Sequence, residues 1–163
     1  MRLNLGEAAP KPYQALRDAD EAIRTGPLDS TVGELVKVRV SQLNGCAFCV
    51  DMHSKEARRD GVSEERLLQL PVWRQSELYS ERERAALSYA EAATRHEDIS
   101  DEHWEELRKA LPDEAELGHL VAQVSVINAL NLLGVPLRMK PPRRSVVPWG
   151  VSRAHTTSSY AGP

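Results

Sequence analysis

A chain of 163 residues, 41% hydrophobic and 28% charged, is sized and composed for one globular domain with an adequate core. A net charge of −3 gives no electrostatic case for nucleic acid, and eight aromatics with few β-branched clusters favour helices over a β-sandwich. Met1 to Glu7 contains no apolar signal core and no run approaches membrane-spanning length, so the expectation is a cytoplasmic protein that does not engage membranes.

Residues 1 to 10 read as a loop, and Pro12 opens a first helix to about Thr25, stopped by Gly26-Pro27. Its Leu16, Ala19 and Ile23 form an apolar stripe. The next helix starts near Asp29 or Ser30 and runs to Asn44-Gly45, two residues that tolerate the left-handed backbone of a helix end. Thr31-x-x-Glu34 has the form of a capping box, which would give Glu34 a purely local task. A further helix opens at the cysteines and closes at Gly61. Beyond it, Ser63 starts a short helix to about Leu70, closed by Pro71, and Trp73 lies in a connection as core or interface packing. Ser80-x-x-Glu83 is a strong capping box for a helix to about Arg95 with a small-residue face, Ala85, Ala86, Tyr89, Ala90 and Ala93. Ser100 opens another helix to Leu111. Asp113 begins the longest, which runs to about Leu133 and is ended by Gly134 and Pro136. From Val121 that last helix is apolar almost all round, so it should be buried on every side, in part at a subunit interface, with Asn128 and Asn131 needing internal partners. From residue 140 a basic, Pro/Ser/Thr-rich tail is expected, distinct from a helical domain over 1–139.

Chemistry concentrates in Cys46-Ala-Phe-Cys49-Val-Asp-Met-His53, which holds both cysteines of the chain. A helix N-terminus stabilises anions, lowers a thiol pKa and so favours the thiolate nucleophile. His53 stands one turn beyond Cys49, and Cys46 two turns before His53, which aligns two sulfurs and an imidazole on one stripe. An antiparallel hairpin turning at Gly45 would set Glu34 opposite residue 56, within reach of His53, to hold its tautomer and accept its proton. His96 and His103 have no such neighbours and are expected to do no chemistry; His119 is a secondary pocket candidate, more simply read as packed.

Glu34, Ser41, Asn44, Cys46, Cys49 and His53 together resemble the core motif of the alkylhydroperoxidase AhpD-type proteins of the carboxymuconolactone decarboxylase superfamily. The resemblance extends over roughly residues 1 to 140, through Trp73-Arg74 and the closing Leu-Gly-Val-Pro136. It implies an all-α subunit assembling into homotrimers or homohexamers through the long apolar C-terminal helix. It also implies reduction of hydroperoxides without a cofactor, reset by an external dithiol such as a lipoyl-bearing protein. Carried over by position, Cys49 is the peroxide-attacking thiol, Cys46 the resolving thiol, and His53 with Glu34 the proton relay. One departure is Phe48, where some members place a histidine; a phenyl ring moves no protons. That favours a second reading, a thiol–disulfide exchange or redox-sensing protein without efficient turnover. A Cys46/Cys49/His53 metal site is disfavoured because a structural zinc site wants four protein ligands, and the decarboxylase branch because it lacks the cysteine pair.

Overall fold

The computed structural model describes residues 1–141, and helices are the only regular secondary structure among them. Most of the tail expected over 140–163 lies outside the described residues. The helices are α1 (Leu5–Ala8), α2 (Pro10–Arg24), α3 (Ser30–Leu43), α4 (Ala47–Arg59), α5 (Glu64–Gln69), α6 (Glu81–Thr94), α7 (Asp101–Ala110) and α8 (Glu114–Gly134), with a 3-10 segment at Leu70–Gln75.

Two stretches differ from expectation, both at prolines. The segment read as a loop over 1–10 contains α1, and α2 begins at Pro10 rather than Pro12. At Pro71 the α-helix α5 ends as expected, at Gln69, but the chain goes on into the 3-10 segment with Pro71 in its first turn. A proline is tolerated there because its missing N–H would have had no intrahelical partner.

Helix α3 is the axis of the fold, buried continuously from Val32 to Ser41. Its sequence splits into faces. Val32, Val36 and Val40 recur every fourth residue and join one core with Leu107, Leu120, Val124 and Ile127. Leu35 and Val38 enter a second core with Ala57, Leu70, Trp73 and Leu87. Burial of each such side chain contributes about 1.5–3 kcal/mol. Glu34, Lys37 and Ser41, at spacings of three and four, make a buried polar face. Asp29 caps α3 by accepting a 3.1 Å bond from the Val32 amide, so the local capping task expected of Glu34 is done by another residue.

The Ser80 capping box forms with both bonds in place. It starts α6, whose Ala86 and Ala90 are fully buried. Next to Ala90 on the same helix is Glu91, wholly buried, accepting from Arg39 Nε at 2.6 Å, Trp73 Nε1 at 3.0 Å, Arg95 Nη1 at 3.2 Å and Arg74. Trp73 is therefore core, and its indole N–H is satisfied.

Helix α8 buries Leu117, Leu120, Val124, Ile127, Asn131 and Gly134 along one face. Within the single chain it is not covered on every side: Leu132 is 72% exposed and Val135 45%. At 21 residues it has the length and apolarity of a membrane span, contrary to the expectation that no run approaches one. Its polar residues are nonetheless bonded within the protein, Gln123 to Asp20, Asn128 to Thr94 and Asn131 to Ser41.

Candidate redox-active site

The corner between α3 and α4 sets the site. Asn44 remains right-handed, and Gly45 alone takes the left-handed backbone, at φ +68°. Asn44 serves instead through its side chain, donating to Asn128 Oδ1 at 2.8 Å and Asn131 Oδ1 at 3.0 Å. Asn131 in turn donates to Ser41 Oγ at 3.1 Å, so three amides and a hydroxyl pin the corner to α8. The partners expected for Asn128 and Asn131 are these.

Cys46 is the N-cap of α4, outside the helix, rather than a position two turns up the stripe that carries His53. Its Sγ accepts from the Cys49 amide at 3.3 Å, and the two cysteines are joined as a disulfide with Cα atoms 5.3 Å apart. Both are buried. Behind them lies the end of α8, where a Cβ on Gly134 would stand 2.7 Å from Cys46 Sγ and 3.3 Å from Cys49 Sγ. Only a glycine leaves room for the sulfurs at that point.

His53 is buried one turn beyond Cys49. Its Nδ1 lies 2.8 Å from Glu56 Oε2, and its buried Nε2 has no protein partner. The hydrogen bond from His53 is the main cause holding Glu56 below the usual carboxylate range, against the opposing effect of its own burial. An ionised carboxylate only accepts, so the contact suits a proton on Nδ1. Glu34 does reach this neighbourhood, since a carboxylate oxygen from each glutamate and a ring nitrogen of His53 lie within 4.8 Å of one another. It is not hydrogen-bonded to the histidine. Glu34 Oε1 pairs with Lys37 Nζ at 2.5 Å, and its buried Oε2 has no protein partner. Burial raises its pKa, more than the Lys37 ammonium lowers it. Lys37 Nζ also stands 3.9 Å from Glu56 Oε2. Glu34, His53 and Glu56 have the atoms for a metal, but Lys37 already supplies the positive charge between the two carboxylates.

A cavity of about 360 Å³ opens onto Cys49, His53, Lys37 and Glu56. Tyr13, Phe48, Met52, Leu130, Leu133 and Met139 supply its apolar part, and Arg17, Asp18, Glu21 and Arg24 make the side along α2 charged. A larger, shallower groove of about 510 Å³ past Gly45, Ala47 and Arg58 touches neither Cys49 nor His53, so the chemistry belongs to the smaller cavity. The other histidines among the described residues stand apart: His96 is exposed, His103 pairs with Ser88 Oγ at 3.1 Å, and His119 Nδ1 donates to the Ala115 carbonyl at 2.7 Å. Sequence reasoning missed Glu56, Lys37 and Gly134. Glu56 carried a signal, its i,i+3 spacing from His53; the other two depend on which helix faces meet.

The sequence pattern of the "Carboxymuconolactone decarboxylase family" matches residues 10–92, from the start of α2 nearly to the end of α6. The uncharacterized protein YdfG of Bacillus subtilis is 34% identical over 138 residues, 83% of this chain and 93% of that one. A crystal structure from Agrobacterium tumefaciens, a protein of unknown function for which the antioxidant-defence identity AhpD has been suggested, superposes with a TM-score of 0.81. It is 34% identical, over 88% of this chain and 99% of that one. The debrominase Bmp8 is similar at 21% identity and a TM-score of 0.74, over 83% of this chain and 74% of its own, a likeness of fold alone.

Proposed function

The chain belongs to the carboxymuconolactone decarboxylase family, and from that premise we propose that it is an AhpD-type peroxidase reducing organic hydroperoxides in antioxidant defence. The observation that carries the reading is the Cys46–Cys49 disulfide with Cys49 and His53 together on one cavity.

In the reduced protein, Cys49 gives its proton to His53 and attacks the outer oxygen of the hydroperoxide. The O–O bond breaks, the alkoxide takes the proton from the imidazolium and leaves as alcohol, and Cys49 becomes a sulfenic acid. Cys46 displaces the hydroxyl as water and closes the disulfide, and an external dithiol, carried by a lipoyl-bearing partner, resets the pair by exchange. Glu34 completes the relay as a proton-holding group beside the imidazole. The working unit is residues 1–139, assembled as a homotrimer or homohexamer through α8, and acting in the cytoplasm where thiols are kept reducible.

Phe48 on the cavity wall favours one alternative, a thiol–disulfide exchange or sensing protein that is oxidised once and turns over poorly. Mass spectrometry of the reduced protein before and after one equivalent of cumene hydroperoxide tests the shared chemistry. The expected result is loss of two hydrogens from the peptide holding residues 46 and 49. Sustained consumption with dihydrolipoamide supports the enzyme; a single event supports the sensor. A Cys49→Ser protein that still consumes hydroperoxide at the wild-type rate would show that the attacking sulfur has been misassigned.

A further inference from the structure

The relay as carried over from the motif has Glu34 as the carboxylate behind His53, yet the carboxylate bonded to that ring is Glu56, 2.8 Å from Nδ1. The spacing explains the geometry. His53 and Glu56 are i and i+3 on α4, so their side chains lie on one face in any α-helical state of this segment. Glu34 comes from α3, and its bonded oxygen is committed to Lys37. Lys37, 3.9 Å from Glu56, offsets the repulsion between two carboxylates gathered around one imidazole.

We propose that Glu56 is the positioning residue of the relay: it holds His53 through Nδ1–H and leaves Nε2 as the nitrogen that takes the Cys49 proton and returns it to the leaving oxygen. A neutral imidazole has one donor and one acceptor nitrogen, so fixing the proton on Nδ1 makes Nε2 the base. When Nε2 is protonated, the Glu56 charge stabilises the imidazolium. The proton lost by the thiol ends on the alkoxide, and Glu56 neither gains nor loses one. Glu34 then acts on the charge of the site rather than on the ring's orientation. The kinetic part of this inference rests on the peroxidase reading; the tautomer part does not.

Imidazole ¹⁵N chemical shifts of His53 in the reduced protein, read where the ring is neutral, report which nitrogen bears hydrogen. The wild type should show the Nδ1–H form. Glu56→Ala should lose it in favour of Nε2–H, and Glu34→Gln should keep it. Glu56→Gln keeps a carbonyl to accept from Nδ1–H, so the tautomer should persist while the charge is lost. In single-turnover oxidation by cumene hydroperoxide, Glu56→Ala should slow the first step about ten- to hundredfold, a part of the ~10²–10⁴ that a general acid–base group supplies, and Glu56→Gln should fall between it and the wild type. A folded Glu56→Ala protein that retains Nδ1–H overturns the proposal, as does one that changes tautomer but oxidises at the wild-type rate. Should the alanine variant not fold, the wild type and the glutamine variant decide: Nδ1–H in both supports the proposal, and Nε2–H in the wild type overturns it. If the wild type itself is not oxidised by hydroperoxide, the peroxidase reading fails and the tautomers alone decide the role of Glu56.

Discussion

Glu34 on α3 and Glu91 on α6 are both buried, yet their surroundings drive them in opposite directions. Burial pushes Glu91 up, but hydrogen bonds from Arg74, Trp73 and Arg39 outweigh it and bring its pKa to about 2, from 4.5. Its folded pKa lies below the unfolded one, so its contribution to stability is present above pH 4.5 and lost as pH falls from there toward 2. That depression corresponds to about 3 kcal/mol. Glu34 has one ammonium rather than several donors, and burial prevails; any stability tied to its raised pKa is present below pH 4.5 and lost as pH rises through the folded value. Urea unfolding of Glu91→Gln should therefore show lower stability than wild type at pH 7, and a loss between pH 4.5 and 2 shallower by about 3 kcal/mol. Curves of equal steepness would mean that Glu91 does not carry the acid sensitivity.

Also at the residue scale, Gly134→Ala places a methyl 2.7 Å from Cys46 Sγ. Over-packing of this kind costs about 1–3 kcal/mol, and here it should also slow disulfide closure, measured as the rate of thiol loss after oxidation begins. The contrast with the cysteines and His53 shows what a sequence makes legible. Their relation is local, fixed by positions on or beside one helix, so the order of residues alone reveals it. Glu56 is equally local, but the motif assigns the carboxylate's place to Glu34 and so draws the eye away from it. Lys37 and Gly134 act across helix contacts, and nothing in their immediate neighbours announces it.

At the scale of elements, the starts of helices are the clearest reading. Ser80, Ser100 and Asp113 each cap the helix expected of them, because a short polar side chain can satisfy an amide at that point and nowhere else in the helix. The prolines mislead because a first-turn proline and a helix-stopping proline look alike in one dimension. The α3–α4 corner is the element on which the site depends, and Gly45 is its hinge. A side chain there would meet nothing within 4 Å, so the penalty is in the backbone alone. Gly45→Ala should cost about 1–2 kcal/mol for a left-handed residue bearing a Cβ, seen as a lowered urea midpoint. Gly61, also left-handed and equally open, should cost a similar amount on substitution without altering the oxidation rate of the thiols. Equal slowing of oxidation in both variants would show that the corner has no special hold on Cys49.

For the whole molecule, the unfinished surface is on α8. The apolar pattern of residues 121–133 reads as a demand for burial, but it does not say which neighbour meets the demand, because the intrachain face and the outward face are equally apolar. The chain itself covers Leu120, Val124 and Ile127 and leaves Leu132 and Val135 to solvent. A large side chain fully buried at an interface contributes about 1.5–3 kcal/mol, and a closed ring of subunits repeats each contribution at every contact. Leu132 makes no internal contact that its exposure would not already forgo, so Leu132→Glu should spare the fold while setting like charges against each other wherever copies of α8 meet. We expect light scattering to show the wild type as a trimer or hexamer and this variant as a smaller species, with helical circular dichroism and the Cys46–Cys49 disulfide retained. A variant with the wild-type mass would move the interface off this face of α8, and a monomeric wild type would remove the assembly altogether.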